Sequence, residues 1–201
     1  MHINFLVGRD NYDEALPVPP PEVITGFNTR LRNRGVSSRE HLFGLMNQPV
    51  SEQSISEARQ ARVRGVRTGN KISNNIANMD ELTFHHVDVA LAKMQVKRFA
   101  PDVMNENATG NYNTAHRIIA ITTFQTLAIM GTYAKLSINH DWVANTHFLV
   151  RVYDNYIHYY LMQRTRAEQK TPGILKSRNK QDTRWKRVKE VGIIPLMLPA
   201  T

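Results

Sequence analysis

The stretch "TAHRIIAITTFQTLAIMGTYAKL", residues 114–136, decides the fold class because it is apolar on nearly every side. A helix at a protein surface shows one apolar stripe, whereas a helix that is apolar all round lies in the interior. We therefore expect these residues to form the centre of the hydrophobic core, with the other elements packed around them.

Two long helices are predicted on either side of this stretch. Asp80 is a favourable N-cap for "ELTFHHVDVALAKMQVKRFA", residues 81–100, and the proline that follows marks the end of this helix. Asn139 or Asp141 caps the amphipathic helix "WVANTHFLVRVYDNYIHYYLMQRTRAEQ", residues 142–169. The apolar stripe of this second helix consists of Val143, Leu149, Val150, Tyr153, Tyr156, Ile157, Tyr160 and Leu161.

Two shorter helices are predicted nearer the start of the chain. Ser37 or Ser38 caps "REHLFGLMN", and Ser54 or Ser56 starts "EARQARVRGVR". No six-residue run alternates apolar and polar side chains between hairpin turns, so no strand is predicted. The sequence predicts a mainly α fold.

The two ends of the chain differ from its middle. Residues 1–22 contain four prolines and predict an extended N-terminal arm; a terminus without fixed structure is the alternative. Residues 23–170 form the predicted α-helical core domain. A Pro-Gly pair then opens a C-terminal tail, residues 171–201, with a basic half that forms a short helix over residues 181–190 and an apolar end, "IIPLMLPAT". The resulting prediction is a single helical-bundle domain with extended N- and C-terminal arms.

The charge balance points to a polyanionic partner. The formal net charge is +9. It is −3 over residues 1–22 and +7 over residues 164–190, so the chain has an acidic start and a strongly basic end. The sequence has no cysteine, which excludes disulfides and thiolate metal sites and fits a reducing compartment. No apolar run approaches the ~18 residues that cross a membrane, so a membrane partner is not expected.

The segment "ARQARVRGVRTGNK", residues 58–71, carries four arginines and a lysine with no acid. Arginine suits phosphate because its planar guanidinium forms bidentate hydrogen bonds. A solvated helix face is the alternative, but such a face normally mixes acids with bases. The candidate nucleic-acid contacts here are Arg59, Arg62, Arg64, Arg67 and Lys71, with Lys97, Arg98 and Arg117 as further basic candidates in the core domain.

The tail carries a second candidate contact in "RNKQDTRWKRVK". Its members are Arg178, Lys180, Arg184, Trp185, Lys186 and Arg187. An aromatic ring between basic residues is typical of a surface that stacks on bases and binds phosphates. Trp185 has a second interpretation as an anchor that holds a tail helix to the body. Tyr159 lies off the predicted apolar stripe and is also a candidate to stack on a base, whereas the tyrosines on the stripe fit the core or a subunit interface.

Motifs of common enzyme and metal sites are absent from the sequence. It contains no GxxxxGK[ST], GxGxxG, HExxH or GxSxG pattern, and we find no nucleophile–base constellation in it. The adjacent His85 and His86 point about 100° apart on a helix and do not share one ion easily. We expect no catalytic residue, no metal and no cofactor, and the chain is not expected to be an enzyme.

Two stretches resemble proteins that coat viral RNA. "DELTFHHVDVALAKM", residues 80–94, is similar to a helix with the pattern DELTxxRVAxALA in nucleoproteins of phlebovirus-like and tenuivirus-like RNA viruses. "KRFAPDVMNENATGN", residues 97–111, resembles the KYAPxVWNxMLxxNxPPxNW region of coat proteins from flexible filamentous plant viruses. The similarity covers about thirty residues; the arginine of the first pattern is His86 here, and the FDF hallmark of the second group is absent. The resemblance implies a helical subunit that coats RNA and joins its neighbours through swapped terminal arms.

Three functions are compatible with these features. The first is a coat or nucleocapsid subunit, located in the virion and the host cytoplasm, that polymerises along single-stranded RNA as a filament or particle. The second is a small oligomeric α-helical regulator that binds nucleic acid. The third is an enzyme whose site is assembled from scattered residues. The assembly state separates the first two, and turnover separates the third.

Overall fold

The computed structural model describes residues 2–8, 15–36, 38–61, 79–105 and 108–190, and only the backbone of residue 39 and of residues 184–190. The helices are α1 (His2–Val7), α2 (Pro21–Asn33), α3 (Arg39–Leu45), α4 (Glu52–Ala61), α5 (Glu81–Lys93), α6 (Asn111–Ile129), α7 (His140–Ala144), α8 (Thr146–Asn155), α9 (Met162–Lys170) and α10 (Ile174–Glu190). A 3₁₀ turn covers Ala134–Leu136, and a π-helical turn, Tyr156–Leu161, joins α8 to α9. These ranges contain no strand, so the predicted mainly α class is confirmed.

Helix α6 lies at the centre of the core, as the sequence predicts. It contacts α1, α2, α3, α5, α7 and α8. The side chains of Ala115, Ile119 and Leu127 are 0% exposed. Full burial of an isoleucine or leucine side chain contributes about 1.5–3 kcal/mol, so this helix is a large part of what stabilises the fold. The helix ends at Ile129, and Gly131 with φ of 80° then turns the chain away.

Three of the predicted N-caps are present, Asn139 at α7 and two others at the starts of α5 and α3. The Asp80 carboxylate accepts a hydrogen bond from the Thr83 N–H at 2.7 Å at the start of α5. Of the two serines proposed for α3, Ser38 is the cap, and its hydroxyl accepts from the His41 N–H at 3.4 Å. Each side-chain oxygen satisfies a backbone donor that the first turn of the helix leaves without a partner.

The predicted start of α4 is wrong. This helix begins at Glu52, and the hydroxyl of Ser51 accepts from the Ser54 N–H at 3.2 Å. Pro49 keeps the chain before Ser51 non-helical. Ser51 is therefore the first residue in position to cap the helix. Ser54 therefore lies inside the helix.

The predicted end of α5 is also wrong, because the helix stops at Lys93. Gln95 takes a left-handed conformation with φ of 56°, and the Val96 N–H donates to the Leu91 carbonyl at 3.0 Å. This hydrogen-bond pattern ends a helix by satisfying carbonyls of its last turn. The proline at position 101 follows in a non-helical segment.

The long helix predicted over residues 142–169 is interrupted twice. Asn139 caps the short α7 through the Asp141 N–H at 2.8 Å, and Asn145 caps α8 through the Phe148 N–H at 2.9 Å. An asparagine side chain competes with the backbone for these hydrogen bonds and so favours a new start over a continuous helix.

The second interruption is the π-helical turn. The buried side chains of this region, Tyr153, Ile157, Leu161 and Thr165, follow one another at intervals of four residues. In an α-helix, residues four apart are rotated by about 40° from one another around the helix axis. These four side chains would therefore turn progressively away from the core. The wider π turn takes up this drift and keeps the four side chains on the core side. Tyr160, predicted on the apolar stripe, is instead 44% exposed.

The start of the chain packs on its own body. Residues 2–7 of the predicted extended arm are helical, and Phe5 and Leu6 belong to the hydrophobic core. Residues 15–20 are non-helical, and Leu16 is buried in the same core. The prediction of an extended arm is therefore wrong for α1. The prolines on which it rested begin at position 17, and residues 2–7 before them form a helix that buries apolar side chains in the core.

The end of the chain continues as a helix. Gly173, with φ of 84°, separates α9 from α10, so the predicted break is confirmed. Helix α10 covers Ile174–Glu190, longer than the predicted residues 181–190. Leu175 packs in its first turn with 1% exposure, whereas residues 176–183 are all exposed. The apolar end of the tail, residues 191–201, lies outside the described residues.

Candidate nucleic-acid interface

The first basic segment is described only up to Ala61. The Arg59 side chain is 47% exposed, and its Nε lies 3.7 Å from Oδ2 of Asp88, which is 0% exposed. Arg59 thus balances the charge of a buried carboxylate on α5, while part of its surface remains open to solvent. The other four candidates of this segment, Arg62, Arg64, Arg67 and Lys71, lie outside the described residues.

Lys97 and Arg98 are exposed in the turn after α5. Lys97 lines a polar groove of about 280 Å³ to which α2 and α4 also contribute, and Arg98 lines a cleft against Phe5 and Leu6 of α1. Both cations are open to solvent and could contact phosphate. They lie beside one another in sequence but border different depressions.

Arg117 is placed differently from the other candidates. Its side chain is 11% exposed, and its Nη1 donates to Oδ1 and Oδ2 of Asp154 at 3.0 and 2.8 Å. This ion pair joins the central helix to α8. The guanidinium is therefore occupied inside the protein, and little of it can reach a ligand.

The candidates of the tail lie on α10. Arg178 and Lys180 are exposed in its first half. The backbone of residues 184–187 is helical, but the side chains of Arg184, Trp185, Lys186 and Arg187 lie outside the described residues. The two interpretations of Trp185, stacking or anchoring, therefore both remain predictions.

A second group of cations, not among the candidates from the sequence, lies with two exposed tyrosines along α8, the π-helical turn, α9 and the first turn of α10. Tyr159 is 59% and Tyr160 44% exposed on the π-helical turn. We call this surface the basic-aromatic face; its members are Arg151, Tyr159, Tyr160, Arg164, Arg166, Lys170 and Lys176. Tyr159 follows Arg151 by eight residues, Arg166 follows Tyr159 by seven and Lys170 follows Arg166 by four, which are spacings of side chains on one side of a helix. The charge of +7 over residues 164–190 was the signal in the sequence.

The acids next to this face are engaged within the protein. Asp154 forms the ion pair with Arg117. Glu168 accepts hydrogen bonds from the backbone N–H groups of Gly173 at 2.6 Å and Leu175 at 3.1 Å. These two hydrogen bonds, with Gly173 contributing more, lower the pKa of Glu168 and keep it ionised. Glu168 keeps its negative charge, and the five cations Arg151, Arg164, Arg166, Lys170 and Lys176 outnumber it, so the net charge of the face is positive.

The tyrosines of the π turn are in contact with their neighbours. The rings of Tyr156 and Tyr160 are nearly parallel, at an interplanar angle of 21° and a centroid distance of 5.4 Å. The guanidinium carbon of Arg164 lies 5.6 Å from the Tyr160 centroid, and its Nη1 lies 3.5 Å from the tyrosine hydroxyl. An aromatic pair flanked by a guanidinium is a preformed surface for stacking.

Other kinds of site find less support in the described residues. No group of three histidine, aspartate or glutamate side chains there could hold a metal ion. His85 and His86 have ring centroids 6.4 Å apart and point in different directions. Within the same ranges no helix is long and apolar enough to cross a bilayer.

Comparison with protein-family models, with curated proteins and with solved structures finds no match to this chain. The resemblance to viral nucleoproteins and coat proteins thus stays a prediction from the sequence. The arguments for function come from the residues of the chain itself.

Proposed function

We propose that this chain is a coat or nucleocapsid subunit that polymerises along single-stranded RNA. The observation that carries the proposal is the basic-aromatic face, where exposed cations flank two exposed tyrosines while Asp154 and Glu168 are engaged elsewhere. Single-stranded RNA presents a phosphate and a planar base at every nucleotide, which match these two kinds of side chain. Such contacts tolerate any sequence, as a protein that covers a whole genome requires.

Helix α10 supports the same proposal. Residues 176–183 are exposed all round and include Lys176, Arg178 and Lys180 against the single acid Asp182. A helix with so little burial gains little from its own core, so its cations are free to bind phosphate. The strip from Arg59 to Lys71 adds a further proposed contact on the basis of its sequence.

An exposed apolar patch supports assembly of several copies. Ile129 is 76%, Trp142 61% and Phe148 39% exposed, and the rings of Trp142 and Phe148 lie 5.6 Å apart. Exposed apolar surface of this kind commonly marks a protein contact. We propose that residues 191–201 of a neighbouring copy cover this patch.

The position of α10 suits this contact between copies. The helix has 17 residues and is therefore about 25 Å long, and its residues 176–183 are all exposed. A tail that binds the next copy forms a head-to-tail contact that does not close on itself and so builds a filament. In this account the chain acts in the virion, after assembly in the host cytoplasm, and has no catalytic role.

Electron microscopy of the purified full chain tests the proposal. We expect filaments or particles that contain RNA protected from nuclease in fragments of regular length. Removal of residues 191–201, or replacement of Trp142 and Phe148 by alanine, should leave a folded protein that no longer forms long assemblies.

A matched control is Leu136→Ala, which removes a side chain that is 50% exposed on the neighbouring 3₁₀ turn. It should assemble normally if the patch is local to Trp142 and Phe148. Discrete dimers that carry no nucleic acid would contradict the coat proposal and favour the small regulator.

A further inference from the structure

The two most exposed tyrosines of the described residues are neighbours on the π-helical turn. On either side of them, Ile157 is 0% and Leu161 2% exposed. A π turn holds more residues per turn than an α turn, so consecutive side chains are rotated by less than about 100° from one another, and such turns occur frequently at functional sites. This turn keeps the core contacts in place and presents Tyr159 and Tyr160 together to solvent.

Tyr160 is held by its neighbours on the helix. Its ring stacks on that of Tyr156, and the Arg164 guanidinium lies over it, with the guanidinium carbon 5.6 Å from the ring centroid and Nη1 3.5 Å from the hydroxyl. A side chain already fixed in the free protein loses little conformational entropy when it binds. The rigid ring and the adjacent cation thus form a surface prepared for a planar, negatively charged ligand.

We propose that Tyr159 and Tyr160 stack on the bases of single-stranded nucleic acid while Arg151, Arg164 and Arg166 neutralise the adjoining phosphates. The proposal rests on the proposed function and adds to it the residues that contact bases. From the sequence, only Tyr159 is a candidate to stack, and Tyr160 is expected in the core or at a subunit interface; its 44% exposure excludes the core and leaves the ring accessible.

Charge complementarity favours nucleic acid over a second copy of the chain as the occupant. An apolar partner surface would bury the arginines beside the rings and leave their charges unpaired, at a high cost. A polyanion with planar bases pairs with the cations and stacks on the rings in one arrangement.

The test compares an oligouridylate with an abasic oligonucleotide that has the same number of phosphates. Fluorescence anisotropy gives the affinity of the full chain for each at one fixed salt concentration. We expect Tyr159→Leu/Tyr160→Leu to weaken binding to the oligouridylate by about tenfold per tyrosine. The affinity for the abasic strand should not change, because the phosphate contacts remain.

The matched control is Tyr159→Phe/Tyr160→Phe, which keeps both rings and should bind as the wild type does. Since both rings are exposed, the leucine variant should keep its helical circular dichroism. If it loses that signal, Tyr159→Leu alone is the test variant, and its expected loss is about tenfold on the oligouridylate.

Three results would overturn the inference. Equal affinities of the leucine variant and the wild type for the oligouridylate would exclude stacking here but leave the electrostatic function intact. An unchanged affinity together with a shift from oligomer to monomer in sedimentation would make the face a subunit interface. Failure of the wild type to bind either strand would remove the proposed function and this inference together.

Discussion

The side chain of Arg117 on the central helix reaches Asp154 on α8, and its Nη1 lies 3.0 and 2.8 Å from the two carboxylate oxygens. The pair has two consequences for the basic-aromatic face. It withdraws an acid that would otherwise lower the positive charge there, and it fixes α8 against the core.

Loss of the Arg117 partner should destabilise the fold. We expect Arg117→Met to lower the free energy of unfolding by about 1–3 kcal/mol, because the Asp154 carboxylate keeps only water as a partner. Thermal unfolding followed by circular dichroism measures this change. The control Arg166→Met removes an exposed arginine and should change the stability by no more than about 0.5 kcal/mol. Equal effects of the two changes would show that the ion pair contributes nothing.

Removal of a buried side chain from the central helix should lower the free energy of unfolding more than removal of an exposed side chain at its end. Ile119 is 0% exposed and Ile129 is 76% exposed on the same helix. We expect Ile119→Ala to lower the free energy of unfolding by about 2–5 kcal/mol. The same substitution at Ile129 should change it by no more than about 0.5 kcal/mol. Chemical denaturation measures both, and similar losses would contradict the central position of α6.

The contact of α1 with the core is built around a neutral histidine. Nε2 of His2 lies 3.0 Å from the Ala120 carbonyl, to which it donates, and Nδ1 lies 2.6 Å from the Tyr133 hydroxyl, from which it accepts. Burial lowers the pKa of His2 to about 3. Because the folded pKa is below the ordinary value of 6.5, the unfolded chain binds more protons between these two values.

Acid should therefore weaken the fold through His2. The contribution is fully present above pH 6.5 and is lost as the pH falls, by about 2 kcal/mol between pH 7 and pH 5. His116, whose pKa burial lowers to about 4, adds a similar dependence in every variant that keeps it. The difference in unfolding free energy between pH 7 and pH 5 should be smaller in His2→Gln than in the wild type. Identical pH profiles would show that His2 does not titrate as described.

Features that depend on residues close together in the sequence, such as a buried helix or a helix cap, could be predicted from the sequence. Sixteen of the nineteen residues of α6 fall in an all-round apolar stretch, and Asp80 caps α5 by a contact three residues away. Ser51 and Asn145 were missed because several polar residues near each helix start could act as the cap, and only the surrounding packing selects one.

The parts of the site that depend on distant residues could not be predicted. Arg117 was a candidate contact for phosphate until its pairing with Asp154, which lies 37 residues away, was known. Tyr160 was placed on the apolar stripe because a continuous α-helix brings it there. The π turn shifts that register and exposes the ring. A hydrophobic pattern that fits one helix period does not reveal a local change of period.

The salt dependence of binding to single-stranded RNA shows whether the basic-aromatic face contacts the phosphates. Two variants lose three exposed cations each and so have the same net charge. The face variant is Arg166→Gln/Lys170→Gln/Lys176→Gln, and the control variant is Arg32→Gln/Arg34→Gln/Lys135→Gln.

Each phosphate contact contributes about 0.7 to the slope of log affinity against log salt concentration. We expect the face variant to lose about 2 from this slope and the control variant to lose less than about 0.7. Equal slopes for the two variants would contradict the proposed contacts, because binding would then follow the net charge of the protein and not this face.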